Sequence, residues 1–300
     1  MKLTPSYALG VTAALAAILI WAVFLLSTRF AVSGKFSVEE VMLLRLVTAS
    51  VVTLPLMIKL GITLRGQSFF GTIMLALGPS AIAPYIISSG LFFASAAESG
   101  ALAPGTLPFW AALFSFMIIG EKPTKSRMFG LLIIFLGALL IGFWQTINGS
   151  DQETWKGHLL FLLGASLWSI YSIYFKKSGL SPSHGLVISL FWGTLVLVPC
   201  LLLTGKISFH NVSMAEIISV GVVQGILIAV LAMLLYSFAV RCLGAAQTAS
   251  FGALTPILAL VGGAFLLGET ISSTVSFGVF VVATGVLLAS GYFEKRNVGL

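Results

Sequence analysis

Hydrophobic positions along this chain fall into long unbroken runs, and the polar residues collect in short stretches between them. Each run is about 20 residues long, the length an α-helix needs to cross the hydrocarbon core of a bilayer. The pattern predicts helices over roughly 7–29, 40–60, 68–93, 100–119, 127–147, 157–175, 184–204, 214–240, 245–267 and 273–293. A closed β-barrel, the other architecture that spans membranes, would alternate apolar and polar residues, and these runs do not. The fold class is therefore all-α integral membrane, with ten transmembrane helices. The first run follows Lys2 as a signal peptide's would. It is long, lacks a convincing cleavage site and is followed by many similar segments, so it is expected to be the first span.

Composition agrees with this. Mean hydropathy is +1.09, with 58% hydrophobic and 8% charged residues, against about 25% charged in soluble domains. The net charge of +7 sets orientation rather than attracting nucleic acid. With the N-terminus cytoplasmic, the inner segments hold Lys2, Lys59, Arg65, Lys122, Lys125, Arg127, Lys176, Lys177, Arg241, Lys295 and Arg296. The outer segments hold only Arg29, Lys35, Lys156 and Lys206. Eleven against four is a positive-inside bias, and it predicts both termini in the cytoplasm. Cys200 and Cys242 are too few and too far apart for a disulfide framework or a metal site, and inert packing is expected of them.

The pattern also repeats. Pro108 precedes Gly120 by twelve residues, and Pro256 precedes Gly268 by twelve. Gly130 and Gly137 follow in the first half, as Gly278 and Gly285 do in the second. Glu121 and Glu269 stand 148 residues apart (269 − 121), and Trp21 answers Trp168 at 147. Hydrophobic bias alone does not place these residues in order at nearly one offset. The chain reads as two five-helix units, 1–149 and 150–300, forming one transport domain. A unit with an odd number of spans, copied in tandem, re-enters from the opposite side, so the repeats are expected to be inverted, as in secondary transporters.

These residues resemble the EamA-type, ten-helix members of the drug/metabolite transporter superfamily. The pattern is a tryptophan late in helix one ("LIWAVF", "SLWSIY"), an arginine in helix two ("LLRLV") and an alanine-rich start to helices four and nine. A mid-helix proline, a Gly-Glu corner and glycines in the last helix complete it. The first half departs from it with Glu98 and Pro104, and the seventh span has no arginine to match Arg45. The resemblance implies a central cavity among eight helices, rim packing by helices five and ten, export, and the bacterial inner membrane.

Candidate site residues follow. Arg45 lies about six residues into its helix, roughly 9 Å deep at 1.5 Å per residue, where an arginine costs about 2.5–3.5 kcal/mol. It either snorkels outward or bonds loop carbonyls, or it is the cavity cation for a substrate carboxylate, or it gates. Trp21 and Trp168 suit a cavity lining or an interface belt, with Tyr171 on the Trp168 face. Tyr85 and Ser88 follow Pro79 and Pro84 in the third span, Trp110 follows Pro108, and Tyr236 stands in the eighth. The substrate-binding candidates are thus Trp21, Arg45, Tyr85, Ser88, Trp110, Trp168, Tyr171 and Tyr236. Pro79, Pro84, Pro108 and Pro256 are hinge or gate candidates, with plain helix packing as the alternative. Glu121 and Glu269 are expected to be structural corners favoured by the N-terminus of the following helix, with a gate contact as the alternative. The paired glycines of spans five and ten are expected to permit close packing, within the protein or between protomers.

Absences bear on function too. Glu98 is expected between spans three and four, and His158, His184 and His210 in or beside separate loops, without zinc-site spacing. Asp151 is the one aspartate, too few acids for a Mg²⁺ cluster. An integral-membrane enzyme, a cofactor, a metal and a nucleic-acid partner are not expected. Without a mid-membrane carboxylate, facilitated or exchange transport is favoured over proton coupling, and cation-drug efflux is disfavoured. The sequence points to a transporter of a small metabolite, an amino acid or related zwitterion, acting as monomer or homodimer in the lipid bilayer. A drug or organic-anion exporter is the alternative.

Overall fold

The computed structural model describes residues 5–64, 66–148, 153–243 and 245–290. Lys2, Arg65, Asp151, Lys295, Arg296 and both termini lie outside the described residues. Among the described residues every regular element is a helix. We number the spans α1 (Pro5–Ser33), α2 (Val38–Leu60), α3 (Phe69–Phe93), α4 (Ala96–Ile119) and α5 (Lys125–Asn148) in the first half. The second half has α6 (Thr154–Ser178), α7 (Pro182–Leu203), α8 (Met214–Leu243), α9 (Ala245–Phe251 continuing as Leu254–Leu266) and α10 (Ser273–Ala289). Nine of these are long and apolar enough to cross a bilayer by length and composition, and α10 is a shorter apolar helix. The chain is a multi-pass membrane protein.

Serine sets most of the starts. The Oγ atoms of Ser37, Ser95 and Ser213 accept the N–H groups of Glu40, Glu98 and Glu216, and each glutamate bonds back to its serine's N–H. These capping boxes satisfy donors that a helix start leaves open. One of them corrects the sequence reading: α4 begins at Ala96, so Glu98 sits in its first turn and not between spans. Likewise α6 begins at Thr154, three residues before the predicted start, which puts His158 in its second turn, buried at 5% exposure.

The two Gly-Glu corners share one backbone geometry. Gly120 and Gly268 take φ of +77° and +65°, a left-handed conformation that glycine adopts at little cost. The Glu121 N–H then donates to the Ser115 carbonyl at 3.3 Å, and the Glu269 N–H to the Gly263 carbonyl at 3.0 Å. Both bonds run from the residue after the glycine to a carbonyl six residues back, one that the helix end would otherwise leave open. Glycine and backbone make the turn, and neither carboxylate is needed for it. The following helix is capped elsewhere, α10 by Ser272 Oγ on the Val275 N–H.

Neighbouring spans pair reciprocally. α1 packs on α8 and α6 on α3; α1 meets α9 and α6 meets α4; α2 meets α7, α4 meets α9 and α5 meets α10. Exchanging each span for the one five places along leaves this scheme unchanged, as a two-fold relation would. The α5–α10 crossing is close. A Cβ added to Gly130 would lie 2.5 Å from Ala289 N, and one on Gly285 2.7 Å from Ile134 N. The paired glycines therefore serve packing inside the molecule.

Four spans are broken near their middles. In α3 the residues Gly78–Ile82 form a π turn around Pro79, whose nitrogen donates no hydrogen bond. In α8 a longer π segment, Val222–Ala232, needs no proline. α4 and α9 break just before Pro108 and Pro256, which stand in the first turn of the resumed helices Leu107–Ile119 and Leu254–Leu266. These prolines are thus not mid-helix, because a first turn tolerates the missing N–H. Packing differs between the two ends. Val41, Met42, Leu46, Leu91, Leu102 and Phe161 are buried together toward the end that carries Arg29. The α4 segment Leu107–Ile119, toward the end that carries Lys176, has no buried residue.

Candidate functional site

Between the halves lies a cavity of about 30 Å³ lined by Trp21, Arg45, Pro79, Ser80, Trp168, Leu186, Ile228, Ala229 and Met233. That volume admits about two waters, so the site is nearly collapsed. α1 and α6 bring the two tryptophans, α2 brings Arg45, and the π segments of α3 and α8 supply Pro79, Ile228 and Ala229. A larger groove of about 350 Å³ between α9 and α10 is lined chiefly by apolar residues, among them the exposed Leu254 and Phe280. Lined that way, it suits lipid.

Arg45 is 6% exposed. Its Nη1 donates to Gln224 Oε1 at 3.3 Å, and its guanidinium carbon stands 5.1 Å from the Phe24 ring centroid. Gln224 Nε2 in turn donates to Ser27 Oγ at 3.0 Å and Thr28 Oγ1 at 2.9 Å. Nε of Arg45 is buried with no hydrogen-bond partner. Arg45 therefore neither snorkels to the interface nor bonds loop carbonyls. A guanidinium offers five donors that fit a carboxylate two at a time, and this one holds a neutral amide and an aromatic face. Trp21 adds a tilted contact with Tyr236, centroids 4.9 Å apart, and Trp168 an edge contact with Tyr171 at 6.1 Å.

Tyr171 and Tyr236 touch the tryptophans without lining the cavity, and Tyr85, Ser88 and Trp110 also lie outside the lining. The Tyr85 hydroxyl donates to Glu39 Oε1 at 3.2 Å, drawn toward the Arg29 end. Ser88 is fully buried against Met42, its Oγ 3.9 Å from Sδ. Trp110 stacks on Phe114 with centroids 5.8 Å apart. Pro84 is buried in α3, and Pro256 packs against Gly100 and Gly105 at the α4 break.

The Arg29 end is tied by polar contacts. Arg29 Nε donates to Glu269 Oε1 at 3.1 Å, and its Nη1 donates to the carbonyls of Leu91 at 2.7 Å and Phe92 at 3.2 Å. Both Glu269 oxygens lie 3.1 Å from the Ala96 N–H. Its charge therefore serves the start of α4 rather than the start of α10, which corrects the expectation for this corner. His158 Nε2 and Glu98 Oε1 are 3.1 Å apart and buried. At the other end, Glu121 Oε2 stands 3.8 Å from Lys176 Nζ, both side chains exposed.

The EamA-like transporter family matches residues 8–143 and again 155–291. The chain belongs to this family. An uncharacterized transporter, YyaM, of Bacillus subtilis (strain 168) is 27% identical over 64% of this chain and 64% of its own length. An uncharacterized transporter of Clostridium kluyveri is 26% identical over 61% and 60%, and the uncharacterized inner membrane transporter YedA of Escherichia coli (strain K12) 24% identical over 63% and 60%. The chain thus spans about three fifths of the length of these relatives. A solved crystal structure superposes with a TM-score of 0.60 at 18% identity, over 93% of this chain and 97% of the other, and shares the fold.

Within this EamA-like fold, sequence reasoning missed Gln224 and the partner of Glu269. Gln224 is a lone amide in the run "VGVVQGILIAVLA", which was the available signal. Arg29 was legible only as a loop charge, although Lys176 stands 147 residues after it.

Proposed function

We propose that this chain is a secondary transporter of a small carboxylate-bearing zwitterion, an amino acid or close relative, working by alternating access around the cavity of Trp21, Arg45 and Trp168. The observation that carries this is Arg45: a buried guanidinium at the cavity wall with an unpartnered Nε and no acid among the described residues lining that cavity. The aromatic walls would hold an apolar side chain. The two-fold pattern of span neighbours supports inverted repeats over 1–149 and 150–300, and the broken spans supply hinges at Pro79, Pro84, Pro108 and Pro256. Export, the inner membrane and cytoplasmic termini follow from the family resemblance and the charge bias. Transport rather than membrane-embedded catalysis is what the family and its named relatives point to.

Thermal shift of the detergent-purified protein against amino acids, organic anions, quaternary amines and nucleotide sugars tests the substrate class. Ligand at roughly 100 Kd adds about 2.7 kcal/mol of apparent stability. Stabilisation by amino acids that disappears in Arg45→Ala and weakens in Trp21→Ala is expected. Stabilisation by quaternary amines, or by anions lacking an amine, overturns the zwitterion reading. Counterflow in liposomes then reads transport directly.

A further inference from the structure

We propose that the two Gly-Glu corners are reciprocal gates, each closed by the cation at the end of the first span of the opposite half. Arg29 and Lys176 stand 147 residues apart (176 − 29), and Glu121 and Glu269 stand 148 apart. Glu269, from the second half, meets Arg29 of the first; Glu121, from the first half, meets Lys176 of the second. One ion pair is thus written twice, once at each end of the molecule.

The two copies are in different states. The Arg29–Glu269 pair is close at 3.1 Å and mostly enclosed, with side-chain exposures of 24% and 11%. Its two side chains also reach the carbonyls of Leu91 and Phe92 and the Ala96 N–H, and so join α1, the end of α3, the start of α4 and the corner after α9. The Lys176–Glu121 pair is 3.8 Å apart, beyond hydrogen-bond reach, with exposures of 75% and 56%. A carrier that exposes one side at a time has one end latched while the other is free, and these pairs show that combination. The sequence supports the closed copy in particular. A Cβ on Gly263 would lie 2.5 Å from Glu269 Oε2, so the carboxylate lies back against α9 where glycine leaves room. The residue 148 positions earlier is Ser115, and Glu121 stands out toward Lys176 instead. Since backbone and glycine alone close each turn, the acids are free for this work. On turnover, Glu121 and Lys176 close to hydrogen-bond distance while Arg29 and Glu269 part.

The inference rests on the transporter reading for its alternating states only. Its test needs no substrate, so a wrong substrate class and a wrong gate fail in different assays. In a Cys200→Ser, Cys242→Ala background, Ser80→Cys places one thiol in the cavity. A membrane-impermeant maleimide is added to right-side-out and inverted vesicles, and labelling through each end is timed. Glu269→Gln is expected to raise labelling through the Arg29 end at least threefold. Glu121→Gln is expected to raise labelling through the Lys176 end, and in the Glu269→Gln background to return the Arg29-end rate toward the parent's. At the exposed corner, where folding is not at stake, Lys176→Glu is expected to undo the effect of Glu121→Lys. At either end alone, shifts of the same sign in both single variants, no shift in either, or a charge swap that restores nothing would each overturn the proposal, leaving the corners purely structural.

Discussion

Arg45 and Gln224 meet at 3.3 Å inside the membrane region, 179 residues apart in sequence, and this contact ties α2 to α8. Gln224 extends it to Ser27 and Thr28 of α1, so three spans share one polar chain in an apolar surround. Replacing Gln224 by Leu strands Arg45 Nη1 and the hydroxyls together. A loss of about 1–3 kcal/mol is expected, seen as a lower apparent Tm in detergent. In Arg45→Ala the same substitution is expected to cost much less; equal losses in both backgrounds would show that the contact carries no energy.

His158 and Glu98 form a second buried pair, 3.1 Å apart at 7% and 3% side-chain exposure. Removing one member leaves the other without its partner in a site closed to water. His158→Ala is expected to lower stability by roughly 3 kcal/mol, and His158→Gln, which keeps a hydrogen-bonding group near Glu98, by less. Thermal unfolding of the two variants side by side decides it. A ranking with Gln as the worse substitution would mean that shape and not the bond holds this corner.

The α5–α10 crossing has a built-in control. Gly130→Ala drives a Cβ to 2.5 Å from Ala289 N, whereas Gly142→Ala, on the same helix, meets nothing within 4 Å. Alanine is favoured over glycine in a helix by about 1 kcal/mol, so Gly142→Ala is expected to be neutral or stabilising and Gly130→Ala destabilising. Size-exclusion profile and Tm of the two proteins read this out. If both behave alike, the helices are not in contact as described.

Gly263→Ala fills the space in which the Glu269 carboxylate lies. It is expected to lower the Tm in the parent and to have little further effect once Glu269 is already alanine. A full additional loss in the Glu269→Ala background would place the cost in α9 packing instead.

How much of this could be read beforehand differs residue by residue. The run lengths gave the spans, and the common offset gave the two corners and the repeat of tryptophan, because those features depend on spacing alone. Trp21, Arg45 and Trp168 reach one cavity for the same reason, each standing at a comparable depth on a span that faces the other half. Tyr85 and Ser88 do not, since the π turn at Gly78–Ile82 changes the phase of α3 and rotates the residues that follow it. The start of α4 was misplaced because hydropathy begins late there, although Ser95 and Glu98 carry the capping-box spacing. Gln224 finds Arg45 through tertiary packing of α8 on α2, and no local signal encodes that meeting.

The π segments of α3 and α8 have a further consequence for how this chain tolerates change. A π turn holds a residue more than an α turn, and it marks a helix with length to spare. Deleting one residue from Val222–Ala232 would let α8 tighten to α geometry there, and would leave the parts before and after it close to their present orientation. Elsewhere in a spanning helix a one-residue deletion must be absorbed by the loops. In these two helices, slack is stored in the middle of the bilayer, where the chain can take up or release a residue without moving either end.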